Sequence, residues 1–457
     1  MALTIAAQVR PFALLAPGAR TVSADEARAG VPMPAPAPFV AMEATLAGDA
    51  GRLVLELASG AVRLSGEYDA RRSLARLQVT DASGRTTSHR SLRGGRARGE
   101  VTSVALTLTG TWLTVWTRGV ATDDWTARSR VTLADRVDTR SEQLTAGLRL
   151  RLDGDASVGD VRVGPFGQLG LRDIRLVSEA DGSPIRREGR LLLSATSAGP
   201  GFFDTGHTSV WSLDEASFDL RHEADLFFRR PDRPGVFGDH ACHVVRDGDR
   251  WLVATSTWGD FDGGKRSTVA STLAETTADV TTGTHVLDTR PLHLPTDGLT
   301  SVGVWDPHLV LVDGPVSGTQ EWLVGYVSAT RYFEFHPVLA SGPSLDALSL
   351  RSAASDRVAT EGVTLVRLDE GWRVLASDGK DGAPGQRERF PVFDLDLSEV
   401  GTVAAPYPQP TNLPWPTLVR TDSGWLMTTF NGRPRGGRLL GYGTHGDVVV
   451  LTGHDLG

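Results

Sequence analysis

Four segments in the second half of the chain share one plan: a polar turn, an apolar strand, an Asp/Gly turn, then a Trp leading a second strand. They are Gly238–Val253, Trp305–Gly314 continued by Glu321–Val324, Glu361–Leu375, and Pro414–Met427. The aligned Trp251, Trp322, Trp372 and Trp425 stand 71, 50 and 53 residues apart. A unit of paired short strands recurring at such a period cannot bury its apolar face alone and must stack on its neighbours, which is the condition for a propeller or a solenoid. A further unit precedes the four, in Gly189–Thr196, Thr208–Leu213 and Ala224–Phe228. Five units predict a five-bladed β-propeller over residues 185–457. Radial repetition protects strand edges, and the turns it requires account for 51 Gly and 25 Pro.

The first part reads differently. Residues 1–35 form an N-terminal segment ending in the proline-rich connector Val31–Pro38. From there, Leu53–Leu57, Val104–Thr109, Thr111–Thr117 and Leu148–Leu152 alternate with period two, the pattern of an antiparallel sandwich. The stretch Gly164–Val177 resembles the closing strand of a concanavalin-like or laminin-G-like jelly roll, and that resemblance sets the sandwich at about residues 36–180. The fold class expected is therefore all-β: a jelly-roll sandwich followed by a five-bladed propeller.

Composition narrows the partners. A formal charge of −8 argues against nucleic acid or an anionic membrane. No apolar run approaches the roughly 18 residues of a spanning helix. The single cysteine, Cys242, excludes an intramolecular disulfide. With no clear signal peptide, a cytoplasmic location is expected. Cys242 lies beside His243 and two residues from His240, but strand alternation puts 240 and 242 on the face opposite 243, and a buried structural thiol is the expected role.

The innermost strand of a propeller blade opens into one mouth of the central channel. The strand starts here carry Asp239, Asp306, Glu361 and, near the fourth, Asn412. Carboxylates converging on one mouth raise one another's pKa, which is what a general acid beside a general base requires. The pattern of Asp, then Asp in Trp305-Asp306-Pro307, then Glu in Glu361-Gly362 resembles the five-bladed glycoside hydrolases, namely the family 43 arabinanases and xylosidases and the related invertase and levansucrase groups. The resemblance implies Asp239 as general base, Asp306 as the residue that tunes the acid, and Glu361 as general acid. The sequence departs from the family's first and third motifs at His240 and Val363, where the family has Pro. Asp204, in the preceding unit, is the alternative first carboxylate.

His207, His240, His308 and His445 at turns or strand starts are candidates to bond sugar hydroxyls, and Trp258, Trp305 and Trp415 to stack on a sugar face. The resemblance implies a carbohydrate substrate, a furanoside or pentoside containing arabinose or fructose, cleaved with inversion. Transfer to another sugar and non-enzymatic glycan binding are the alternatives. No cofactor is required; a structural divalent cation in the channel, held by His residues, is compatible with the resemblance. No phosphate-binding glycine pattern follows a strand.

Overall fold

The structure, a computed structural model, describes residues 2–48, 51–120, 124–261, 268–314, 316–411, 413–440 and 446–455. Asn412 and His445 lie outside the described residues. The molecule is all-β, with an antiparallel two-sheet sandwich followed by a five-bladed propeller. Among the described residues the α-helices are Ala24–Ala29 and Glu142–Ala146, and no described helix is long and apolar enough to cross a membrane.

One sandwich sheet is built from Phe39–Leu46, Val101–Thr109, Trp112–Gly119, Thr126–Thr132 and Val158–Gln168. The other is built from Arg52–Ser59, Val62–Asp69, Leu74–Thr80, Thr86–His89 and Arg149–Asp153. Alternating residues of both fill one core, including Val40, Met42, Leu55, Leu57, Leu64, Leu77, Leu106 and Val115.

The propeller blades each have four strands. Blade 1 runs from Leu171–Leu176 outward through Arg190–Ser197, His207–Leu213 and Leu220–Arg229. Blades 2, 3 and 4 begin on His240–Asp247, Gly303–Asp313 and Thr360–Leu368. Blade 5 begins on Thr417–Thr421, continues through Gly424–Phe430 and Val448–Gly453, and takes Thr4–Val9 as its outermost strand.

Two boundaries differ from the sequence expectation. Residues 1–35 are not a separate segment. Thr4 pairs with Thr452 and Val9 with Val448, closing the ring with the far end of the chain. Ala13–Leu15, Arg20–Val22 and Val31–Pro32 join the sandwich sheets. The sandwich itself ends at Gln168, because Leu171–Leu176 pairs with Arg190–Ser197 as the inner strand of blade 1. Alternation alone cannot show which sheet a strand enters.

The inner strands share a six-residue plan: Arg172–Val177, His240–Val245, Trp305–Val310, Glu361–Val366 and Pro414–Val419. In blades 1 to 4 the pairing register slips at the second position, a β-bulge. There Asp173, Ala241, Asp306 and Gly362 have φ of 52°, 59°, 59° and 72°. Three of these are not glycine, and backbone held in the left-handed region marks sites where surrounding structure imposes it.

Candidate active site

The bulges open into one mouth of the channel, around a cavity of about 250 Å³. Asp173, Asp306 and Glu361 line it, from blades 1, 3 and 4. Two of the three predicted carboxylates in the trio are thus brought together, and the first position belongs to Asp173, which the sequence reading left unmarked. A signal for it was present. Arg172-Asp-Ile-Arg-Leu-Val177 repeats the frame of Trp305-Asp-Pro-His-Leu-Val310, with Asp at the second place in both.

Each carboxyl is fixed by its strand. The Asp306 N–H donates to Ser256 Oγ at 2.8 Å, which anchors the bulge to blade 2. Glu361 precedes Gly362, where a Cβ would lie 2.3 Å from Trp415 Cδ1, so only glycine fits there. Arg172 Nε lies 3.4 Å from Asp173 Oδ2 and its guanidinium sits over the Phe203 ring.

The three environments separate the acids. Burial raises all three pKa values, as desolvation disfavours the charged form. For Asp173 the neighbouring Arg172, Thr196 and Arg175 oppose the rise. For Glu361, burial and then the Asp173 charge push the value up to about 8, with Trp415 and Arg172 opposing. Asp306 is driven well above the usual range by burial and then by Glu361 and Asp173. Asp306 and Glu361 therefore hold on to a proton between them while Asp173 ionises first.

His240 also lines the cavity. Its Nε2 lies 3.0 Å from the Phe203 carbonyl oxygen, which can only accept, so Nε2 carries the proton and Nδ1 is an acceptor. Among the described residues Nδ1 has no hydrogen-bond partner, and it lies 4.0 Å from Asp173 Oδ2. Burial, with the Arg172 charge, keeps the ring neutral.

The walls are aromatic. Phe203, Trp258, Phe261, Trp305, Tyr332 and Trp415 line the cavity. Phe203 lies on Trp258 with centroids 4.4 Å apart, and Trp258 meets Trp305 edge-on at 5.3 Å. The predicted Trp258, Trp305 and Trp415 are thus all at the mouth.

The remaining predicted residues are elsewhere. Asp239 is fully buried and ion-paired to Arg230, outside the cavity lining. Asp204 accepts from the Trp112 indole of the sandwich at 2.8 Å. Its neighbour Phe203 faces the cavity while Asp204 faces the sandwich. His207 is bonded to Asp225 at 2.9 Å and packed on Phe39 and Phe227. His308 lies deeper in the channel, toward the opposite mouth, stacked on His243 at 4.0 Å. Alternation fails as a guide between His240 and His243 because of the bulge at Ala241.

Among the described residues, no group of three or more His, Cys, Asp or Glu is arranged to hold a metal. Arg175 already puts a guanidinium between the inner strands.

No protein-family model matches the chain, and no curated protein matches its sequence. Among solved structures the chain is similar to a family 117 glycoside hydrolase produced by the marine bacterium Zobellia galactanivorans. The identity is 12%, the TM-score 0.42, and the match covers 62% of this chain and 84% of that one. It is similar to the inulosucrase from Halalkalicoccus jeotgali at 15% identity and TM-score 0.44, over 57% and 76% of the two chains. An exo-1,5-alpha-L-arabinanase from a bovine ruminal metagenomic library follows at 9% and 0.36, over 62% and 92%.

Proposed function

We propose that the protein is a glycoside hydrolase whose reaction is carried by Asp173, Asp306 and Glu361. The observation that carries this reading is the burial of three carboxyls from three blades in one aromatic-walled mouth, where Arg172 and Arg175 oppose the rise at Asp173 while the Asp173 charge adds to the rise at Glu361. Paired carboxyls of opposite protonation are what glycosidic cleavage needs. Glu361 is the general acid and protonates the leaving oxygen. Burial and the Asp173 charge keep its proton affinity high, and Asp306, which itself answers to the Glu361 charge, lines the same mouth.

Asp173 takes the role expected of Asp239. His240 Nδ1 and Asp173 Oδ2 are too far apart to bond directly, at 4.0 Å, and the gap suits a water shared between two acceptors. Asp173 would deprotonate that water as it attacks, which inverts the anomeric centre. The substrate is read as a furanoside or pentoside, the class implied by the motif resemblance, with its ring against the aromatic wall.

The test is a panel of aryl furanosides and pyranosides, with proton NMR of the released sugar. Turnover by the wild type, inversion in the first-formed product and loss of both in Glu361→Gln are expected. Retained configuration would make Asp173 a nucleophile instead. A Glu361→Gln variant with full activity would overturn the assignment of the acid.

A further inference from the structure

The fourth place of the inner-strand repeat holds Arg175, His243, His308, Thr364 and Thr417, one from each blade. Four of these are compact, and apart from the bond that Thr364 accepts from Arg175, the hydrogen bonds they make reach no farther than their own strand or a neighbouring one. The Thr417 hydroxyl donates to the Ile174 carbonyl at 2.6 Å. His243 is satisfied on both nitrogens, by Ser178 Oγ at 3.3 Å and the Leu309 N–H at 3.0 Å. Arg175 is different. It leaves blade 1 fully buried, and one guanidinium nitrogen donates to the Val363 carbonyl at 2.7 Å and Thr364 Oγ1 at 3.4 Å. The other donates to the Asp306 carbonyl at 3.0 Å. The group lies 4.5 Å from the centre of the Trp415 ring. One side chain thus joins the inner strand of blade 1 to blades 3 and 4 and to the Trp that begins blade 5.

We propose that Arg175 is the channel's resident cation and a positioning residue, holding the bulges that aim Asp306 and Glu361 from below. This rests on the reading of the mouth as a glycoside-cleaving site. The carbonyls it binds, of Asp306 and Val363, belong to the two bulges that set those carboxyls, so releasing them frees both. A planar fork can hold two strands at once, which a point charge on a flexible stem cannot.

The charge has its own effect. Asp306, Cys242 and Asp173 face Arg175, and His243 and His308 are held neutral by burial and by its field. Arg172, Arg175, His240, Asp306 and Glu361 surround Asp173. Arg175 favours the ionised forms of Asp173 and Asp306, while Glu361 answers to Asp173, Trp415 and Arg172.

The experiment compares wild type, Arg175→Met and Arg175→Lys. In Arg175→Met the acidic limb of kcat/KM against pH moves up by about one unit, the scale of a lost opposite charge, the alkaline limb stays, and kcat falls at least tenfold. Arg175→Lys keeps the acidic limb and loses kcat. Carboxyl carbon-13 NMR of Asp-labelled protein reads the same aspartate midpoints without substrate. Unmoved aspartate midpoints in Arg175→Met, or full kcat in Arg175→Lys, would overturn the proposal. A wild type that turns over no glycoside would remove the reading of the mouth, while the NMR midpoints would still decide the electrostatic part.

Discussion

Arg230 grips Asp239 at both carboxylate oxygens, Nε reaching Oδ2 at 2.7 Å while the other end bonds Oδ1. The Gly259 N–H donates to the same Oδ1 at 3.0 Å, and Arg230 also holds Asp260. Both carboxylate oxygens of Asp239 are thus engaged, in a pair buried on both sides. Breaking one partner of such a pair strands a buried charge and costs about 3–5 kcal/mol. Asp239→Asn is therefore expected to lower the thermal midpoint strongly while the folded fraction keeps its kcat. Asp173→Asn is expected to do the reverse, losing at least a hundredfold in kcat with the midpoint held or raised. Thermal melts paired with turnover per folded molecule separate the two.

What was legible in the sequence follows from what repeats. The Trp-led hairpins of blades 2 to 5, Asp306 and Glu361 all sit where the local pattern is strong. Asp173 was hidden for two physical reasons. Its strand continues the period-two texture of the sandwich, so alternation does not mark the change of sheet at Gln168, and only the frame shared with Trp305–Val310 does. Its bulge also breaks the alternation that a simple strand reading relies on, as at Ala241 and Asp306. Asp239 drew attention because it precedes the repeat frame by one residue, and at that place a carboxyl points into the blade and not into the mouth. The pairing of Thr4–Val9 with Val448–Gly453 spans the whole chain and leaves no local trace at either end.

The acids predict a pH profile. On the proposed reading, turnover needs Asp173 ionised and Glu361 still carrying its proton. Since burial and Asp173 push Glu361 up to about 8, kcat/KM should fall as pH rises through about 8, with the acidic limb set by Asp173. Stability carries the same sign. A carboxyl whose folded pKa is raised contributes stability fully below its unfolded pKa, near 4.5, and loses it as pH climbs toward about 8. Glu361→Gln removes that loss. Its thermal midpoint should exceed the wild type's at pH 8, by on the order of a few kcal/mol in stability, and the gain should shrink toward pH 5. A gain independent of pH would show that ionisation is not its source.

The sandwich meets the site at the Phe203–Thr205 turn. The Trp112 indole binds Asp204 at 2.8 Å, Arg130 lies over the Trp112 ring, and Arg130 donates to the Pro200 carbonyl at 2.7 Å. These contacts hold Phe203–Thr205, and Phe203 is both cavity wall and acceptor for His240. Trp112→Phe removes the donor, keeps the ring, and leaves buried Asp204 without its partner. KM should rise several-fold, since a shifted wall weakens binding, and the aspartate-governed acidic limb should stay in place. An unchanged KM would make the sandwich a passive neighbour.

Ring closure gives the last prediction. Leu3, fully buried, precedes the closing strand and packs with Leu375, Met427, Val449 and Leu451, and its N–H donates to the Ala404 carbonyl at 2.8 Å. Thr4–Val9 covers the edge of Val448–Gly453, an edge that would otherwise be open to pairing with other chains. Leu3→Ala should cost about 2–5 kcal/mol, as for large-to-small changes in a packed core. It touches no cavity residue, so kcat and the pH limbs should be unchanged at temperatures where the protein is folded. Removing residues 2–9 should lower the melt further and promote self-association through the bared edge, measurable by light scattering. A truncated chain that melts with the wild type and stays monodisperse would show that the propeller closes without its first strand.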